Sequence, residues 1–277
     1  MGLPSSTNLN YSDQSQEPPA EPSEPALSPR GELPSSVDLV DVVLIILAGV
    51  CSLIFSLTVG TIAIYLARAP RTLDARELAA NAFFVIPLQV VAYLMVVGFM
   101  AFIVWVRHNQ ALGQAIKWNT PSQRIALAAL GTGGVLGLCS EIASTLLQRW
   151  TPKSLPIEQF FRDPASGYLL AGFGVLVAPL VEELFFRGFV YPAVARWTGS
   201  ASAILITAAS FAALHGAQLA YAWAPLLVLF GIGAALTIIR ARTGSVATCV
   251  IVHMGYNLSL FILLYVLTGG FHHMERA

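Results

Sequence analysis

Seven apolar stretches follow one another along most of this chain, and they constrain its fold more than any other feature. Each approaches the roughly 20 residues that a helix needs to cross the hydrocarbon core of a bilayer. A lone strand is excluded, because its backbone groups would stay unpaired in lipid. The sequence therefore predicts an all-α polytopic membrane protein with about seven transmembrane helices. They are expected over Val40–Leu66, Ala82–Val106, Ile125–Leu147, Tyr168–Phe189, Ala201–Leu219, Ala222–Ile239 and Val246–Leu267.

A low content of charged residues supports this fold class. Only 11% of the residues are charged and 56% are hydrophobic, whereas a soluble domain carries roughly 25% charged residues. The formal net charge of +0 gives no reason to expect a nucleic-acid partner. Lys and Arg are divided almost evenly between alternate loops, so the positive-inside rule predicts no orientation. We expect an integral, multi-pass protein in a bacterial inner membrane, with the lipid bilayer as its surroundings.

Composition also divides the chain into four parts. Residues 1–36 are rich in Pro, Ser and Glu and poor in large apolar side chains, which is typical of a disordered tail. Residues 37–150 contain the first three predicted helices, residues 151–268 form a helical core, and residues 269–277 are a short second tail. In the third helix, Gly133 and Gly137 have the small-xxx-small spacing that indicates close helix packing.

Ionisable side chains inside the predicted helices are few. Each is costly in a membrane and is therefore a functional hypothesis by default. Most of them, together with one buried amide, lie on the fourth, fifth and seventh helices, where they predict a polar cavity. Glu141, on the third helix, has no partner in the sequence pattern and is not assigned to this cavity. The residues assigned to the predicted cavity are Glu182, Glu183, Arg187, His215, His253 and Asn257.

Helical spacing sorts the charges in the stretch VEELFFRGF, residues 181–189. Glu183 and Arg187 are four residues apart, so they share a helix face and can form an ion pair. Glu182 is turned by about 100° from Glu183, which leaves its carboxylate free to act as a general base. A buried ion pair alone also fits a role in helix registry.

Two more polar pairs have the same spacing. Phe211 and His215 lie on one helix face, and His253 and Asn257 lie on another. With a free carboxylate, they supply a base, a neighbouring imidazole and two hydrogen-bond donors. This set is suited to adding water to a carbonyl group and stabilising the oxyanion that forms. A single histidine in a span is equally compatible with a helix–helix hydrogen bond.

Three motifs on successive hydrophobic helices carry a resemblance to a known family. They read EELFFR over residues 182–187, FAALH over 211–215 and HMGYN over 253–257. In this order they resemble the motifs of the CPBP family, the CAAX prenyl protease type II and bacteriocin-processing proteins, also called the Abi family. The resemblance covers roughly residues 155–265. It implies an intramembrane glutamate protease that cleaves a membrane-associated peptide or protein, with lipidated substrates included.

The resemblance also implies a role for each motif residue. Glu182 and His215 would activate the attacking water. His253 and Asn257 would form the oxyanion hole. Three further residues would support them, as an ion pair and as a wall of the site: Glu183, Arg187 and Phe211. No cofactor and no metal ion is implied.

Other chemistries stay open at this point. Glu182, His215 and His253 could furnish a two-His, one-carboxylate zinc set, although the HExxH motif of zinc proteases is absent. The three cysteines lie in apolar runs without a CxxC pair, which disfavours a disulfide framework or a zinc knuckle. A membrane scaffold or a bacteriocin self-immunity protein that binds a peptide without cutting it is the non-enzymatic alternative.

Overall fold

Helices account for nearly all of the structure. The computed structural model describes residues 1–2, 36–68 and 74–274, and these residues contain no strand. The chain divides into two units, Met1–Pro34 and Ser35–Ala277, and the description below concerns the second. Most of the predicted tail, residues 1–36, lies outside the described residues. The α-helices are α1 (Leu39–Arg68), α2 (Ala75–Ala79), α3 (Ala82–His108), α4 (Leu112–Ala115), α5 (Gln123–Leu146), α6 (Pro164–Gly172), α7 (Ala178–Glu183), α8 (Tyr191–Leu214), α9 (Trp223–Thr243) and α10 (Val246–Leu267).

Among the described residues, six helices are long and apolar enough to cross a membrane. One of them, Pro164–Leu214, spans 51 residues and turns back at Gly199, whose φ of 76° and ψ of 166° are not helical. The rings of Phe186 and Phe211 lie 5.2 Å apart across this turn, whereas a straight helix would separate them by ~37 Å. The stretch therefore forms two antiparallel segments, which accounts for the predicted number of about seven.

The backbones of α5 and α10 are in close contact. A Cβ atom on Gly133 would collide with the carbonyl oxygen of Val252, and one on Gly255 would collide with that of Leu130. A Cβ atom on Gly137 would collide with the side chain of Ser259 and would lie 3.1 Å from the carbonyl oxygen of Tyr256. The predicted packing role of the glycines in α5 is confirmed. This contact fixes the position of α10, which carries two of the predicted site residues.

Two π-helical turns, Phe173–Val177 and Leu184–Val190, flank the short helix α7. In the first, the N–H of Ala178 donates to the carbonyl of Phe173, five residues back. The next residue, Pro179, has no N–H and cannot extend this pattern to Gly174. The Gly174 carbonyl instead accepts a hydrogen bond from the side chain of Asn257, with Nδ2 at 2.6 Å.

The second π-helical turn repeats this arrangement. The N–H of Tyr191 donates to the carbonyl of Phe186, and the following residue is again a proline, Pro192. The carbonyl of Arg187 accepts from Nε of Arg240 on α9, at 3.1 Å. Each proline thus leaves a carbonyl to a side chain from another helix, and this docks the stretch with the adjacent glutamates onto α9 and α10.

A second polar cluster joins the start of α1 to the end of α3. Arg107 forms ion pairs with Asp38 at 2.8 Å and with the buried Asp41 at 2.7 Å, and His108 lies 2.8 Å from Asp41. Partial burial opposes ionisation of Asp38, but the amide of Asp41 and the charge of Arg107 outweigh it and hold the pKa of Asp38 below its usual value. We interpret this cluster as a helix-end contact, because it contributes nothing to the cavity described below.

The α5–α10 contact predicts a sharp difference between neighbouring glycines. Gly133→Ala should lower the free energy of unfolding by about 1–3 kcal/mol, because a methyl group there overpacks a backbone contact. Gly134→Ala is the matched control, since nothing lies within 4 Å of its added Cβ. Thermal unfolding of both purified variants in detergent tests this. Equal melting temperatures would contradict the packing described here.

Candidate active site

A cavity of about 410 Å³ opens between the helices, and five of the seven predicted site residues line it. These are Glu182, Phe211, His215, His253 and Asn257. They come from α7, α8 and α10 and from the residue that ends α8. Residues far apart in sequence thus share one polar space inside the helical bundle.

The other two predicted residues, Glu183 and Arg187, lie behind the cavity wall with no exposed surface. Oε1 of Glu183 accepts a hydrogen bond from Nη1 of Arg187 at 2.8 Å. The same oxygen lies 2.9 Å from Nδ1 of His253, and Nη2 of Arg187 donates to the carbonyl of Gly233 at 2.8 Å. The ion pair therefore ties together α7, the π-helical turn after it, α9 and α10.

Glu182 points in a different direction from Glu183, as a rotation of about 100° per residue requires. Its side chain is 18% exposed, whereas that of Glu183 is 0% exposed. Oε2 of Glu182 lies 4.0 Å from Nε2 of His253. This is too long for a direct hydrogen bond and suits a bridging water. The free carboxylate of the pair thus borders open space in the cavity.

The hydrogen bonds of the two histidines indicate their tautomers. Nδ1 of His215 lies 2.8 Å from the carbonyl oxygen of Phe211. Because a carbonyl only accepts, Nδ1 carries the hydrogen and Nε2 of the neutral ring is the basic nitrogen. Nδ1 of His253 faces the Glu183 carboxylate in the same manner, which leaves its Nε2 toward Glu182.

Phe211 and Asn257 hold the remaining groups in place. The Phe211 ring lies 4.8 Å from the ring of His215 and 5.8 Å from that of His253, and the Arg187 guanidinium lies 5.0 Å from its centre. Phe211 therefore contacts both imidazoles. Asn257 uses one N–H on the Gly174 carbonyl, and its amide retains a second N–H.

Sequence reasoning missed the polar wall that α3 and α5 contribute to the same cavity. Glu141, to which the sequence pattern assigned no site, lines it. So do two pairs with the i, i+4 spacing that identified the other motifs, and this spacing was the signal that could have found them. The amide Nε2 of Gln89 donates to the hydroxyl of Tyr93 at 3.1 Å. The second pair is Ser140 and Ser144.

The zinc alternative finds no support in the geometry. Across residues 36–68 and 74–274, no three His, Cys, Asp or Glu side chains are grouped as metal ligands. Glu182, His215 and His253 share the cavity but do not converge on one point within it.

Residues 164–259 match the family model described as type II CAAX prenyl endopeptidase, Rce1-like. The match confirms the resemblance indicated by the three motifs and spans all of them. Neither a curated protein nor a solved structure matches the chain. Helices α1 to α5 lie outside the matched residues. The chain is thus a multi-pass helical membrane protein that contains a segment similar to a protease family.

Because Glu183 is buried and paired whereas Glu182 borders the cavity, substitutions at the two adjacent glutamates should change stability by very different amounts. Glu183→Gln should cost about 3–5 kcal/mol, because it leaves Arg187 buried without its counter-charge. Glu182→Gln is the matched control and should change the free energy of unfolding by about 0.5 kcal/mol or less. Thermal unfolding of both variants in detergent measures the difference. A loss of stability in Glu182→Gln as large as that in Glu183→Gln would contradict the assignment.

Proposed function

We propose that this protein is an intramembrane endopeptidase that hydrolyses a peptide bond of a membrane-associated substrate. The observation that carries the proposal is the separation of two adjacent carboxylates. Glu183 is neutralised by Arg187, while Glu182 borders a cavity with two imidazoles and an amide. The match to a protease family supports the same conclusion. A bacterial inner membrane is the location that fits the composition.

Two bases that border the cavity, Glu182 and His215, activate the attacking water. The Glu182 carboxylate takes a proton from a water molecule. The unprotonated Nε2 of His215 is the second group that can accept a proton from this water. The resulting hydroxide attacks the carbonyl carbon of the peptide bond. The proton then passes to the leaving amine, so that peptide and water give a carboxylic acid and an amine and the carboxylate is regenerated.

Oxyanion stabilisation falls to α10. The second N–H of Asn257 is one donor, and its amide is held in place by the Gly174 carbonyl. Nε2 of His253 is the other donor once it is protonated, because Nδ1 already donates to Glu183. The buried Glu183 carboxylate stabilises this imidazolium. Donors held in fixed positions before the reaction are worth several kcal/mol in such a step.

Removing either proposed base, Glu182 or His215, should strongly reduce cleavage while leaving the fold intact. We expect Glu182→Gln and His215→Gln to lower kcat/KM by about 10²- to 10⁴-fold, the usual contribution of general acid–base catalysis. New peptide termini in native membranes, catalogued by mass spectrometry, give the readout. His272→Gln is the control, since His272 is exposed and does not line the cavity. A scaffold or immunity protein would tolerate the nearly isosteric Glu182→Gln and would show no termini that depend on it.

The same assay separates this mechanism from zinc-dependent cleavage with the same residues. Cleavage should persist after dialysis of the purified protein against EDTA and 1,10-phenanthroline, because both proposed bases act directly on water. Loss of activity that added Zn²⁺ restores would assign the cavity to a metal. A zinc protease of known chelator sensitivity, treated in parallel, verifies that the chelators work.

A further inference from the structure

Glu141 is a carboxylate on the membrane-spanning helix α5, and no residue in the described part of the chain compensates its charge. It lines the cavity from α5, and its backbone carbonyl accepts a hydrogen bond from the hydroxyl of Thr145. Within the described part of the chain, its carboxylate takes part in no hydrogen bond and no ion pair. A carboxylate at membrane depth is costly unless a cation or donors compensate it.

The described lining of the cavity offers no Lys or Arg for this purpose. Among the described residues that line it, Glu141 and Glu182 are the two acids, and neither Lys nor Arg is present. Arg187, which follows the motif glutamates, is engaged by Glu183 and lies behind the wall. When these two carboxylates are ionised, the cavity carries a negative potential that favours a positively charged ligand and disfavours an anionic one.

Helix packing locates Glu141 relative to the proposed chemistry. Gly133 contacts Val252 and Gly137 contacts Tyr256, so α5 and α10 run in the same direction. Gly137 lies against Tyr256 and Ser259, and Glu141 follows Gly137 by one helical turn, so Glu141 lies about one to two turns beyond Asn257, ~5–9 Å along the bundle. An extended peptide covers this distance in about two to three residues.

We propose that Glu141 binds a basic side chain of the substrate and thereby selects peptides with Lys or Arg within about three residues of the scissile bond. The inference rests on the proposed protease function and adds to it a preference for substrates with a basic residue near the scissile bond. The cation neutralises Glu141 inside the cavity, while apolar neighbours of the scissile bond contact the aromatic wall formed by Phe160, Phe161, Phe173 and Phe261. A free C-terminal carboxylate in the same position would be repelled, so the cleaved bond is internal.

A comparison of peptide termini tests this even while the substrate is unidentified. Native membranes carrying wild type, Glu182→Gln, Glu141→Gln, Glu141→Lys or Glu158→Gln are compared at matched expression. Glu182-dependent termini define the cleavage sites. We expect Lys or Arg to be enriched within three residues of them and Glu141→Gln to weaken these cleavages about tenfold or more. Glu158→Gln removes one exposed carboxylate outside the cavity and should leave them unchanged.

A charge exchange then separates specificity from structural damage. A synthetic peptide that spans one such site is prepared with Lys, Gln or Glu at the basic position. Wild type should prefer the Lys peptide through a lower KM, and Glu141→Lys should prefer the Glu peptide. Rescue by the reversed pair cannot arise from misfolding. Wild-type cleavage without a charge preference overturns this inference alone, whereas the absence of all Glu182-dependent termini removes the proposed function and this inference with it.

Discussion

The buried pair of Glu183 and Arg187 is the interaction on which the site depends. Both side chains have no exposed surface, so each charge is tolerable only because the other is 2.8 Å away. Arg187 also bonds to Gly233 on α9, and Glu183 faces His253 on α10. One ion pair thus sets the relative positions of three membrane segments and leaves the neighbouring Glu182 facing the cavity.

Two prolines explain how the helical stretch that carries Glu182 and Glu183 is held against α9 and α10. Pro179 and Pro192 each follow a π-helical turn, and each withholds an N–H from the carbonyl five residues back. Asn257 and Arg240 supply the missing donors. An unpaired carbonyl group is energetically costly in a membrane. Each of the two side chains is therefore held at the carbonyl to which it donates. The irregular backbone around the two glutamates is in this way a means of orienting Asn257.

The cavity has walls of two origins. The residues that match the protease family supply both imidazoles, the free glutamate and the amide. Helices α3 and α5 lie outside that match and supply Gln89, Tyr93 and Glu141. We interpret the first wall as the part that hydrolyses and the second as the part that selects the substrate. On this view, chains that share the motifs and differ in the first helices would cut different peptides.

Local rules were enough for the fold class, the number of spans and the different directions of Glu182 and Glu183, because span length and helical rotation depend on neighbouring residues only. The sequence also predicted that Gly133 and Gly137 pack closely. It did not predict that His253 would bond to Glu183, that Gly174 would hold Asn257, or that Glu141 would face the cavity. These contacts join residues from separate helices, and which helices meet is decided by the packing of whole segments. Tertiary structure alone therefore placed Glu141, a carboxylate without an ion pair among the described residues, in the wall of the proposed active site.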